Sequence, residues 1–216
     1  MNGVSKFSYL THTVIIAIIA MSIFTQHSVA REPGIYYGFS GGLTGASSNY
    51  ESALESQTAE YDLGWGVNGF AGMALSQGWR FEIEAGYRQN KIANLDTTLF
   101  TEDSGSTNSA TLLGNVLYDF DNRSRFTPYL GGGIGIAHVR QDLVQFVSGD
   151  TLHDENLTLA GQAIVGVSFE VNPCWDLFID YRHVFTADQS ATNSGGIEVD
   201  TSYNSGMINF GTLFRY

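Results

Sequence analysis

The chain has 216 residues, with 22 acidic groups against ten Lys and Arg and a formal charge of −12. That acidity argues against a polyphosphate partner, so no nucleic-acid binding is expected. One cysteine, Cys174, excludes an internal disulfide, and the length suits one folded domain.

Residues 1–30 read as a cleaved secretory signal peptide. Lys6 supplies a positive start, Val14 to Phe24 an apolar core, and Ser28-Val29-Ala30 the small residues of a cleavage site. The apolar core is shorter than the roughly 20 residues a spanning helix needs. Residues 31–216 are then the exported domain, and no later stretch is apolar enough for a helical anchor.

Eight segments follow with the period-two alternation of strands, at 34–43, 63–75, 79–92, 109–120, 126–142, 157–171, 175–187 and 202–216. From Trp79 to Arg88, one face carries Trp79, Phe81, Ile83, Ala85 and Tyr87. The other carries Arg80, Glu82, Glu84, Gly86 and Arg88. The seventh segment sets Trp175, Leu177, Ile179, Tyr181 and Phe185 against Asp176, Asp180 and Arg182. The last alternates Ile208, Phe210, Phe214 and Tyr216 with Asn209, Gly211 and Arg215.

A soluble sandwich also alternates, but it buries its apolar face and wets the polar one. Three features favour the inverse. The apolar faces end in aromatics, as two membrane girdles require. The polar faces carry opposite charges at close spacing, suited to ion pairs in an enclosure. Segments of ten or more residues also exceed ordinary strands and match a tilted bilayer crossing. Short turns at 76–78, 121–125 and 172–174 alternate with long polar stretches at 44–62, 93–108, 143–156 and 188–201. Lipid leaves no partner for a free sheet edge, so the sheet must close. The expected fold is all-β, an eight-stranded antiparallel up-and-down transmembrane barrel with short periplasmic turns and long extracellular loops.

The inward charges are Arg80, Glu82, Glu84, Arg88, Asp119, Glu170, Asp176, Asp180 and Arg182. They could form a selectivity filter or proton path, but eight strands leave room only for side chains, which favours an ion-pair network. The Gly131-Gly132-Gly133 run lies inside a strand and precedes no Lys-bearing helix, so it is not read as a phosphate loop. Windows 44–62, 95–108, 145–156 and 188–200 hold thirteen acids and no Lys or Arg. They suit contact with a basic partner, calcium bridging by Asp150, Asp154 and Glu155, or simply a solvated surface. Lys91 and Arg140 sit at the outer rim facing lipid, where they could pair with lipopolysaccharide phosphates or only snorkel. No cofactor and no metal-ligand spacing is evident.

The opening strand Gly34-Ile-Tyr-Tyr-Gly-Phe-Ser-Gly-Gly42, the segment Pro128-Tyr-Leu-Gly-Gly-Gly-Ile-Gly135 and the terminal Phe214-Arg215-Tyr216 resemble the OmpA/OmpX-like family of outer-membrane barrels, which includes the opacity-type surface antigens. The resemblance implies residence in the bacterial outer membrane. It also implies that Phe210, Phe214 and Tyr216 are read by the barrel-assembly machinery. Outer-membrane lipid, lipopolysaccharide and a host or extracellular ligand at the loops are the other implied partners. Lipid A deacylases resemble this barrel and carry a catalytic His followed two positions later by Ser; here His183 is followed by Phe185. The expectation is a non-enzymatic structural and surface-exposed protein, active in envelope integrity or adhesion. A narrow porin-like channel for ions or small solutes is the alternative, and a lipid-modifying enzyme a more distant one.

Overall fold

The computed structural model describes residues 33–51, 56–60, 63–91, 105–120, 124–144, 151–187, 189–192 and 198–216. The expected signal peptide over residues 1–30 and Asp150 lie outside them. Ten strand segments follow in chain order: β1 (Gly34–Glu51), β2 (Ser56–Glu60), β3 (Gly64–Ala74), β4 (Trp79–Lys91), β5 (Gly105–Asp119), β6 (Phe126–Val144), β7 (Thr151–Asn172), β8 (Trp175–Thr186), β9 (Gln189–Thr192) and β10 (Glu198–Arg215). Eight of them form staves in the order β1-β3-β4-β5-β6-β7-β8-β10, each antiparallel to its neighbours. The ring closes where β1 meets β10, from Tyr36 opposite Arg215 to Glu51 opposite Asp200. A closed ring leaves no backbone edge within the span, as the alternation required.

Several strands run beyond their expected ends. β1 continues through Glu51 and folds back as β2, while β9 continues the β8 line along β10. β6 and β7 remain paired as far as Val144 opposite Thr151. Much of what reads in sequence as long polar loop is therefore ladder that has left the bilayer. Water accepts the polar residues there on both faces, so the alternation fades although the backbone pairing persists.

Side-chain burial inverts that of a soluble protein. Ile83, Leu112, Ile134, Leu157, Leu159 and Phe210 point outward and are exposed, while Arg88, Glu84, Asp180 and Arg182 are buried. Aromatic pairs ring the periplasmic end: Tyr37 against Phe214 and Tyr216, Trp79 against Tyr118, Phe126 against Phe169, and Trp175 stacked on Phe214. Trp65 and Tyr87 pair on the extracellular side. An apolar band between two aromatic girdles is the surface that lipid requires.

The turn at 76–78 is short because its backbone enters the left-handed region twice, at Gln77 (φ 69°) and Gly78 (φ 85°). A Cβ on Gly78 would also stand 2.6 Å from the Asp119 carbonyl oxygen. Gly78→Ala is expected to cost about 1–2 kcal/mol, the ordinary penalty of that backbone region for a side chain. Urea unfolding in lipid vesicles would register it, and an unchanged midpoint would contradict the strain.

Candidate functional site

The lumen is the most elaborate constellation in the molecule. Alternation sends Glu82, Glu84 and Arg88 of β4 inward with Arg80, and it sends Asp176, Asp180 and Arg182 of β8 toward them. β4 and β8 stand opposite in the ring, with three staves between them on either side. The Arg182 guanidinium nevertheless reaches Glu84, so their ion pair spans the full width of the barrel. Arg182 also donates through Nε at 3.0 Å and Nη2 at 2.8 Å to Asp180 Oδ2.

Neutral donors add to both carboxylates, although Glu84 Oε1 is left buried without a hydrogen-bond partner. Glu84 Oε2 accepts from Asn115 at 2.7 Å and from Gln162 at 2.9 Å. Asp180 accepts from the Tyr129 hydroxyl at 3.0 Å and from Asn209 at 2.9 Å. Through those bonds β5, β6, β7 and β10 all close on one central knot. Charge-assisted bonds in a low dielectric are the strong ones, and here they tie opposite walls of the barrel together.

A second cluster lies toward the periplasm. Arg80 donates to Asp119 at 3.0 Å and to Glu82 at 3.2 Å, and Tyr36 donates to the same Glu82 oxygen at 2.9 Å. The guanidinium of Arg80 lies over the Tyr129 ring at 4.9 Å. Arg215 grips Asp176 with two nitrogens. Arg88, at the extracellular side, donates to the Ser205 carbonyl at 3.2 Å. A cavity with room for about one water, lined by Arg80, Glu82, Asp176 and Arg182 among others, sits between the two clusters.

The sequence-derived list of inward charges divides here. Arg80, Glu82, Glu84, Arg88, Asp119, Asp176, Asp180 and Arg182 are buried in the lumen. Glu170 is not: it is half-buried at the periplasmic rim, where its N–H bonds the Arg125 carbonyl at 2.8 Å. Glu170 keeps the inward parity, opposite Asp176, and its exposure follows from its place at the mouth of the barrel, just before an irregular register between Glu170 and Asn172. Arg215 shares the inward parity with Asn209 and Gly211, yet its membership was missed because the terminal strand was read for its aromatics. The lumen also holds apolar groups, including Leu113, Val139 and Val184 in one cluster and Tyr36, Phe70 and Phe178 in another. A small barrel must fill its interior with side-chain volume, and ions alone do not supply it.

Other sequence candidates lie on the outer surface. Phe210 on β10 and Tyr216 just after it are exposed, with Phe214 half-buried between Tyr37 and Trp175. Arg140 is exposed on β6; Lys91 is the last residue of β4, and its side chain lies outside those described. The half-buried ring of His183 places Nδ1 3.1 Å from the Tyr181 hydroxyl. Among the described residues, no group of three His, Cys, Asp or Glu could hold a metal ion.

Known proteins share this architecture. A family model described as the outer membrane protein beta-barrel domain matches residues 16–214. Outer membrane protein PagN of Salmonella typhimurium is 27% identical over 100 residues, which are 44% of this chain and 38% of PagN's own length. Neisserial surface protein A superposes with a TM-score of 0.54 at 21% identity, over 86% of this chain and 99% of that one. OprG of Pseudomonas aeruginosa gives 0.51 at 15% identity, over 85% and 97%. Both structural likenesses speak for the fold. The family match, with the closed eight-stave ring and its outward apolar band, places the protein in the bacterial outer membrane, and the chain belongs to the outer membrane protein beta-barrel domain family.

Proposed function

We propose that this protein is a non-enzymatic surface-display barrel whose filled lumen is a structural core and whose acidic extracellular segments contact a basic partner, in adhesion or envelope integrity. The observation that carries the reading is the Arg182–Glu84 pair across the lumen, which obstructs a diffusion path at mid-barrel. The thirteen acids without Lys or Arg in the extracellular windows support the second half, since such a field attracts cationic surfaces and repels anionic ones. The outward row of Phe210, Phe214 and Tyr216 is the proposed recognition element for the assembly machinery. Residues 1–30 are the proposed signal peptide.

Purified protein in planar bilayers is expected to give no discrete single-channel steps. The same protein in vesicles is expected to hold them to a polylysine-coated surface. That adhesion should disappear at high salt, or when Asp150, Asp154, Glu155, Glu198 and Asp200 become their amides. Discrete conductance steps would favour the narrow-channel reading instead. One detail supports that alternative: Glu82 Oε2 is buried without a hydrogen-bond partner and its side chain lines the small cavity.

A further inference from the structure

The outward face of β8 carries a polar pair among apolar side chains. Trp175, Leu177, Ile179 and Phe185 suit lipid, but Tyr181 and His183 stand between Ile179 and Phe185, both half-buried. His183 lies well inside the apolar band. It stands opposite Ala163 of β7, and Leu159 and Leu157 are exposed four and six residues further toward the extracellular end of that strand.

An ionisable residue facing hydrocarbon is costly, and it persists where it has a partner. The Tyr181 hydroxyl is 3.1 Å from His183 Nδ1, and among the described residues neither ring has a second hydrogen-bond partner. A neutral imidazole has one N–H and one bare nitrogen, and a phenol has one O–H and free lone pairs. A single bond between them therefore leaves one donor and one acceptor over, whichever nitrogen carries the hydrogen. If Tyr181 donates, the Nε2–H of His183 and the phenol oxygen remain. If His183 donates, the phenol O–H and the bare Nε2 remain. Hydrocarbon tails satisfy neither.

The wall around the pair is low. Gly132, Ala163, His183, Gly206 and Gly45 form one row across β6, β7, β8, β10 and β1. Tyr181 folds over Gly206, where a Cβ would stand 2.4 Å from its hydroxyl. The hydroxyl is thus carried up to the row of His183, so the spare donor and acceptor lie at one depth. A second copy of the chain, inserted the same way up and related by a two-fold axis along the membrane normal, presents the same pair at that depth. Each donor then meets the other copy's acceptor. Two equivalent bonds form, and the small residues let the two walls approach.

We propose that the barrel associates in the membrane as a two-fold homodimer through its β7–β8–β10 face, with the Tyr181–His183 pair of each copy hydrogen-bonded to that of the other. Ala163 supplies the clearance beside the pair.

Cys174, exposed in the β7–β8 turn and the one cysteine of the chain, gives a labelling position on the same hairpin. Donor- and acceptor-labelled protein is refolded together into lipid vesicles, and energy transfer is followed as the protein is diluted with lipid. Wild type is expected to show saturable transfer that unlabelled wild type competes away. Tyr181→Phe and His183→Phe should each weaken association about tenfold or more, since either change removes both cross-bonds. Ala163→Phe should abolish association by filling the clearance. All three changes set apolar groups against lipid, so folding persists, and heat-modified gel mobility checks it. Ile83→Ala, outward on the opposite stave β4, should leave transfer at the wild-type level. Transfer that merely follows protein density and ignores the unlabelled competitor would overturn the dimer. Saturable transfer that survives unchanged in both Tyr181→Phe and His183→Phe would overturn this face, as would its loss in Ile83→Ala. None of these outcomes bears on conductance or on polylysine adhesion, so the display reading stands or falls separately.

Discussion

Arg182→Met is expected to destabilise the barrel by about 3–5 kcal/mol, because it strips the guanidinium from a buried pair and leaves two carboxylates facing each other without it. Glu84 and Asp180 are both fully enclosed, so neither can recover its hydration. The paired change Arg182→Met/Glu84→Leu should regain much of that loss, since it removes both charges and refills the volume. Reversible urea unfolding in lipid vesicles would measure both variants. Trp65, Trp79 and Trp175 face outward and report on the transfer from lipid to water. If the single variant unfolds at the wild-type midpoint, the knot between β4 and β8 contributes nothing and the lumen is held by its apolar clusters alone.

The second large effect tests the orientation of the whole wall. Ile134 is 79% exposed near the middle of β6. On a protein bathed in water, replacing such a residue by Arg would be close to neutral. At the middle of a lipid-facing strand the same change costs about 2–4 kcal/mol. Ile134→Arg is therefore expected to shift unfolding strongly, whereas an Arg substitution near the rim should cost at most about 1 kcal/mol. Measured indifference at Ile134 would mean that the apolar face does not meet hydrocarbon.

Most of the architecture was legible because a single rule wrote it. Each crossing strand alternates with period two, and lipid fixes which face is apolar, so Trp79 to Arg88 could be assigned residue by residue. The rule fails where its cause is missing. Beyond the bilayer both faces meet water, so the continuation of β1 to Glu51 and the added β2 and β9 left no alternating trace. At Glu170 the parity holds, but the strand has reached the rim and the side chain is only half-buried. The lumen was legible as a set of charges but not as a pairing pattern. That Arg182 meets Glu84 follows from stave order and barrel stagger, which place residues 98 apart across one diameter. Leu113, Phe70 and Phe178 were read past for a related reason: an inward apolar group on a small barrel looks, in one dimension, like a lapse in the alternation.

The β1–β10 seam fixes when the molecule can exist at all. It joins the first described stave to the last, so the contact that completes the cylinder must wait until nearly the entire chain has left its point of synthesis. Until then every partial sheet has two raw borders, and pairing distant segments is the slowest kind of folding step. A half-made cylinder also has nowhere stable to reside, being too greasy for the aqueous compartment it crosses and too incomplete for the bilayer it seeks. Escort during export is thus a requirement set by topology, and a lesion anywhere along either border strand strikes the last and least forgiving act of assembly.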